Sequence, residues 1–418
     1  MKFIHRLTSL LGGGGNKATG APRIMAYCAS NIGLGHYCRI LRVLDRVRQE
    51  LPKASLLLAT DARDSSMAAE AGVAVLQLPR FHFIDQEEFK EGPELLHISS
   101  PELRNLRARI LLAAGESYRP QVLLMDTKPH GKRDEVLPLI KVLHGRGGCQ
   151  ILLMMPDIPS PPGERFKLSG PPSDIRKHGA FYDRLLVAGD ERFFDAAEAY
   201  HWPGEMRAKL AYLGFGVPPL GNTSRVQAFA PYPDLDPQKP TVAASFGGGW
   251  QSDQHAGVLL ESIRLVRQRT HKPVQLVMSL GPAATAEHHR AIVKQAEALG
   301  GVVVELFSST FPILLRHVDL AILQAGDSPV QLLDSDIPIL LTPRPYKSRE
   351  QEERAQRLAT WPGVRLIEGA TLTTHDCAEW ITLDLARERR KRNTGYCFDG
   401  INNAAREVMQ ALETTRQI

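Results

Sequence analysis

The run from Ile24 to Arg39, IMAYCASNIGLGHYCR, constrains the chain more than any other. An apolar strand breaks into a glycine-punctuated turn, and helical spacing begins at a histidine. This is the strand, loop and helix opening of an α/β sheet, whose ligands sit in the crevice at the carboxyl ends of the strands. Gly33 and Gly35 let the backbone turn tightly and let a ligand approach it, while the start of the next helix leaves amides unpaired. The turn lacks the third glycine of the dinucleotide fingerprint, and His36 follows instead. His36 is either a helix-start residue bonded to backbone or a group delivered to the crevice for chemistry.

The alternation continues through ASLLLAT (54–60), VAVLQL (73–78), QVLLMD (121–126), QILLMMP (150–156) and RLLVAGD (184–190), with helical spacing between them. Continuous apolar runs of this length predict a parallel sheet covered on both faces. QVLLMD ends at Asp126, so its carboxylate emerges at the same sheet edge as His36. There it either fixes the tautomer of the imidazole and raises its basicity, or caps the loop that follows. Residues 79–99 read as one long polar loop, a surface segment or a lid. Ser99 or Ser100, followed by Pro101 and Glu102, predicts the start of a helix reaching Tyr118.

A proline-rich stretch up to Pro240 has no apolar period and marks a domain boundary. TVAASFGGGW then repeats the opening: a strand, Gly247, Gly248 and Gly249, and a helix from Ser252 or Asp253. PVQLVMSL (273–280), GVVVEL (301–306), DLAIL (319–323) and IPILLTP (337–343) complete a second α/β domain. Between the last two, QAGDSPVQLLDS (324–335) predicts a turn entering a helix, with Asp327 as its N-cap and Ser328 free to meet a phosphate. Beyond 343, Arg344 precedes a charged helix whose first-turn Glu350 and Gln351 suit hydroxyl groups. Helical spacing ends the chain at 373–391 and from Gly400 to Leu412, the last helix a candidate to cross back to the first domain.

The predicted organisation is a flexible tail (1–22), a Rossmann-like domain (23–216), a linker (217–240), a second Rossmann-like domain (241–396) and a C-terminal helix (397–418). The 418 residues suit two full cores. A net charge of +5 from 51 basic and 46 acidic residues, mixed along the chain, does not call for nucleic acid as a partner. Five scattered cysteines without a C-x-x-C pair argue against a disulfide scaffold or a zinc site and fit a cytoplasmic protein. No apolar run reaches the ~20 residues of a membrane-spanning helix. The opening MKFIHRLTSLL is either a disordered tail on a glycine linker or a short helix in weak peripheral contact with a membrane surface.

Two glycine-turn domains, a proline-rich hinge and a returning helix resemble the GT-B glycosyltransferase architecture. GLGHYCR (33–39), DTKPHGKRDE (126–135), YDRLLVAGD (182–190), LGF (213–215), SFGGG (245–249) and IPILLTPRPYKSREQEERAQRL (337–358) resemble a bacterial group of predicted glycosyltransferases. That group is related to the peptidoglycan N-acetylglucosaminyltransferase and the UDP-glycosyltransferases. The resemblance implies inverting, metal-independent transfer of a sugar from a nucleotide-sugar donor to a hydroxyl or amine of a small or lipid-linked acceptor, with no separate cofactor. It implies His36 as general base held by Asp126, with Gly33, Gly35 and Arg39 on the acceptor side. Gly247, Gly248, Gly249, Ser328, Gln331, Arg344, Glu350 and Gln351 are the implied donor contacts. Gln331 stands where relatives carry a ribose-binding glutamate, and Gln324 and Ala325 replace a glycine pair. A sugar-nucleotide epimerase and a binding protein without turnover are the alternatives.

Overall fold

The computed structural model describes residues 20–29, 35–63, 65–85, 90–159, 171–217, 222–249, 252–342, 349–367 and 372–417. Gly33, Arg344 and most of the N-terminal tail lie outside them.

The first domain is built on β1 (Arg23–Cys28), β2 (Ser55–Thr60), β3 (Ala74–Gln77), β6 (Val122–Asp126), β7 (Gln150–Pro156), β8 (Arg184–Ala188) and β9 (Leu210–Tyr212). They form one parallel sheet in the order β3-β2-β1-β6-β7-β8-β9. β1, β6 and β7 are buried almost throughout, which their apolar runs require when both faces carry helices. Between β3 and the next helix lie β4 (Phe81–Asp85) and β5 (Lys90–Pro93), an antiparallel hairpin where the sequence reads as a loop. The alternation Phe81-His82-Phe83 is its signal, and Phe81 is fully buried. Ser99 caps the helix Ser100–Tyr118 in a reciprocal capping box with Glu102.

The second domain carries β10 (Thr241–Ser245), β11 (Gln275–Ser279), β12 (Val302–Glu305), β13 (Leu320–Leu323), β14 (Ile339–Leu341) and β15 (Val364–Leu366). Its parallel sheet runs β12-β11-β10-β13-β14-β15. In both sheets the order reverses beside the strand that precedes a glycine turn, β1 in one and β10 in the other. This places the carboxyl ends of β1 and β10 at the crevice where α/β sheets bind ligands.

The stretch between the domains is not featureless. Ser224 caps a short helix, Arg225–Phe229, and Arg225 pairs with Asp319 at 2.6 Å, tying it to the second domain. The helix expected over 373–391 ends at Ala386. Arg389 pairs with Asp319, and the buried Arg392 donates to the carbonyls of Leu332 and Ile337 at 2.8 and 2.7 Å, drawing the chain off the helix. The chain returns beside its own crossing. Tyr396 and Phe398 pack on Phe215, and Gly216 pairs with Asp399. Gly214 (φ +83) leaves no room for a side chain, since a Cβ would meet Cys397 Sγ at 2.5 Å. The last helix, Gly400–Gln417, lies on the first domain, where Glu407 pairs with Arg184 at 2.9 Å and Val408 is buried among the first-domain strands.

Candidate functional site

The carboxyl ends of both sheets border one cleft of about 730 Å³, lined by both domains. Its first-domain wall is set by β1, β6 and the helix Gly35–Glu50. These place His36 in the first helical turn and Asp126 at the last position of β6. His36 Nδ1 lies 2.8 Å from Asp126 Oδ2, and Arg39 donates to Asp126 Oδ1 at 2.9 Å. Asp126 is almost fully buried, whereas the His36 side chain is 44% exposed. Among the described residues the hydrogen-bonding neighbours of the ring, Asp126, Arg39 and Thr127, meet it at Nδ1, which leaves Nε2 for the cleft. An ionised Asp126 fixes the proton on Nδ1.

Electrostatics agree with that arrangement. Burial alone would raise the Asp126 pKa, but the charges and hydrogen bonds of His36 and Arg39 outweigh it and hold the carboxyl at about 2. For His36, burial acts downward; Asp126, by charge and hydrogen bond, and Asp327 act upward, Arg39 opposes them, and the net shift is up from 6.5. The imidazole is therefore a stronger base than a free histidine.

Thr127 also belongs to this cluster. Its Oγ1 is 2.9 Å from His36 Nδ1 and 3.1 Å from Asp126 Oδ2, and accepts from Arg39 at 3.3 Å. Its backbone has φ +60, a conformation rare for a β-branched residue that costs of order 1–3 kcal/mol.

The second-domain wall holds the other half of the site. Gly247 and Gly248 line the cleft at the turn after β10. Gly249 does not; with φ +96 it packs against the backbone of Leu280 and Gly281, where a Cβ would come within 2.8 Å of the Leu280 carbonyl. Ser328, Gln331, Glu350 and Gln351 all reach the cleft. The helix expected within 324–335 is only a short 3-10 turn, Pro329–Leu332. The turn closes in three-residue steps, Ser335 N donating to the Leu332 carbonyl at 3.0 Å, while Arg316 holds the Gln331 carbonyl and Arg392 that of Leu332. Ser328, not Asp327, holds the N-cap position, and it makes no capping bond. Asp327 instead faces the first domain, 3.5 Å from Arg39 and beside Gly35, where a Cβ would meet it at 2.9 Å.

Two features had no clear signal in the sequence. Arg354, fully buried, reaches across the cleft to Asp157 at the end of β7 through two bonds of 2.6 and 2.8 Å, and donates to the Ala325 carbonyl at 2.8 Å. In the sequence it is one charge in a charged helix. Phe307, 37% exposed beyond β12, offers the cleft an aromatic face. The second-domain wall presents no lysine or arginine to the cleft among the described residues. Among the described residues no three ligating side chains cluster as a metal site, and no helix is long and apolar enough to cross a membrane.

The sequence matches no protein-family model and no curated protein. Solved structures are similar over nearly the whole chain. The glycosyltransferase of kitacinnamycin shares 14% identity at a TM-score of 0.59, over 95% of this chain and 97% of its own. MurG of Acinetobacter baumannii shares 12% at 0.53, over 95% and 100%. The UDP-GlcNAc 2-epimerase of Methanocaldococcus jannaschii shares 10% at 0.59, over 93% and 99%. Two parallel-sheet domains bordering one cleft, and this likeness across the length of the chain, identify the GT-B architecture.

Proposed function

We propose that the protein is an inverting, metal-independent glycosyltransferase with a nucleotide-sugar donor, UDP- or dTDP-linked, and His36 as general base. The observation that carries this reading is the His36–Asp126 pair opening on a cleft whose opposite wall is a glycine turn. His36 Nε2 takes the proton of an acceptor hydroxyl or amine as that atom attacks the anomeric carbon from the face opposite the nucleotide. The bond to the diphosphate breaks, its electron pair leaves with the diphosphate, and the amides of the Gly247–Gly248 turn receive the charge. Gln331 supports a donor hydroxyl contact, because its Oε1 is buried without a partner among the described residues. Glu350 and Gln351 extend that polar wall, and the Phe307 face suits a planar base. Five free cysteines fit a reducing cytoplasm.

An epimerase is the second reading, favoured by the equal fold likeness to UDP-GlcNAc 2-epimerases. That chemistry needs free acid and base groups, whereas each described cleft carboxylate has a cationic neighbour: Glu91 with Lys132, Asp126 and Asp327 with Arg39, and Asp157 and Glu350 with Arg354. The test is incubation of UDP- and dTDP-sugars with and without a panel of hydroxyl and amine acceptors. Acceptor-dependent release of nucleoside diphosphate with an inverted product supports transfer; interconversion of the sugar nucleotide without acceptor supports the epimerase.

A further inference from the structure

The chain leaves β6 by a turn that few residues adopt. Lys128 N donates to the Asp126 carbonyl at 2.7 Å, closing a three-residue turn with Thr127 at its centre, and Thr127 N donates to the Met154 carbonyl at 2.7 Å. A turn closed two residues apart with positive φ is a strained form, and a β-branched residue tolerates it least. Glycine or asparagine would fit this backbone at lower strain. The hydroxyl explains the residue. It touches His36 and Asp126 and receives Arg39, so three groups that must keep a fixed geometry share one oxygen.

We propose that Thr127 is a positioning residue for His36, its strained backbone retained because it delivers the hydroxyl that stops the imidazole from rotating away from the cleft. With the proton on His36 Nδ1 held by Asp126, Thr127 donates to Asp126 Oδ2 and accepts from Arg39. The ring is thereby confined on its Nδ1 side and Nε2 stays aimed at the acceptor. Strain of this kind persists where function over-determines the backbone. This inference rests on the reading of His36 as the base.

The test uses Thr127→Ser, Thr127→Val and Thr127→Gly in the full chain, with three readouts: melting temperature, turnover with its KM for donor, and the pH titration of the His36 ring by NMR. The groups facing that ring are Asp126, Arg39 and, from the second domain, Asp327. Removing the hydroxyl takes a donor from Asp126, leaves more of its charge on His36, and moves the ring titration upward in Thr127→Val and Thr127→Gly. Turnover of both falls about 10- to 100-fold, the scale of a misplaced catalytic group, with KM nearly unchanged. Thr127→Ser keeps both properties near the parent. Thr127→Gly melts no lower than the parent despite its lost activity, which a purely structural role would not produce. Unchanged ring titration and turnover in Thr127→Val would overturn the proposal. If His36→Ala retains full turnover while the ring titration still moves in Thr127→Val, the base assignment fails and the positioning contact stands.

Discussion

Arg354 of the second domain and Asp157 of the first form a two-point ion pair across the cleft, with side chains only 1% and 5% exposed. Burial and the carbonyl of Ala325 make this a different object from the surface pairs elsewhere on the molecule. Removing one partner strands a buried charge. Arg354→Met or Asp157→Leu alone should cost about 3–5 kcal/mol in denaturant unfolding, and the double variant distinctly less than the sum. Additive losses would show that the pair does not couple the domains.

His36 and Asp126 carry the chemical prediction. His36→Ala should lower turnover about a hundredfold to ten-thousandfold and leave donor affinity nearly intact. Only the neutral ring accepts a proton, and its pKa lies above 6.5, so the rate should climb with pH through a limb above that value. A turnover profile flat from pH 6 to 9 in the parent would contradict this.

These two relationships differ in how far the sequence foretold them. His36 and Asp126 end up 2.8 Å apart because His36 opens the helix after β1 and Asp126 ends β6, neighbouring strands of one parallel sheet, a placement that strand order and a strand-end carboxylate make readable. Arg354 sits on the helix Arg349–Leu358 of one domain and Asp157 after a strand of the other, and their pairing depends on how two domains meet, which no local pattern encodes. Thr127 is similar: its residue type gives no hint of positive φ. The long apolar strands and the Gly247–Gly249 turn are legible because apolar period and glycine report local backbone directly, whereas the hairpin of β4 and β5 reads as a loop. The helix expected within 324–335 is shortened to one 3-10 turn, and the arginines that hold its Gln331 and Leu332 carbonyls, Arg316 and Arg392, are distant in sequence, contacts that no local pattern encodes.

Gly281 makes a test of the donor-side turn. It has φ +91, and a Cβ there would lie 2.4 Å from Gly249 N and 2.5 Å from the Gly247 carbonyl. The two glycine loops are stacked backbone to backbone, so Gly281→Ala must shift one of them. The expected result is a loss of roughly 1–3 kcal/mol in stability together with weakened nucleotide binding. A variant with normal stability and binding would mean that the loops are not held by this contact.

Glu305, at the end of β12, is a half-buried acid whose Oε1 is enclosed. Burial pushes its pKa up to about 7, opposed by a hydrogen bond from Tyr232, and its Oε1 is unpartnered among the described residues. The native state then keeps a proton that the unfolded chain has lost, so stability falls as pH rises from about 4.5 to 7. Glu305→Gln should raise the melting temperature at pH 8 by a few degrees and leave it nearly unchanged at pH 4. A gain of equal size at both pH values would contradict burial as the cause.

The most direct measurement of the central claim is calorimetric titration of the full chain with UDP, dTDP and their sugar conjugates. The account predicts saturable binding of at least one, with a matching rise in melting temperature by mass action, preserved in His36→Ala and weakened in Gly281→Ala. No binding by any nucleoside diphosphate or sugar nucleotide, from a protein that remains folded, would contradict it.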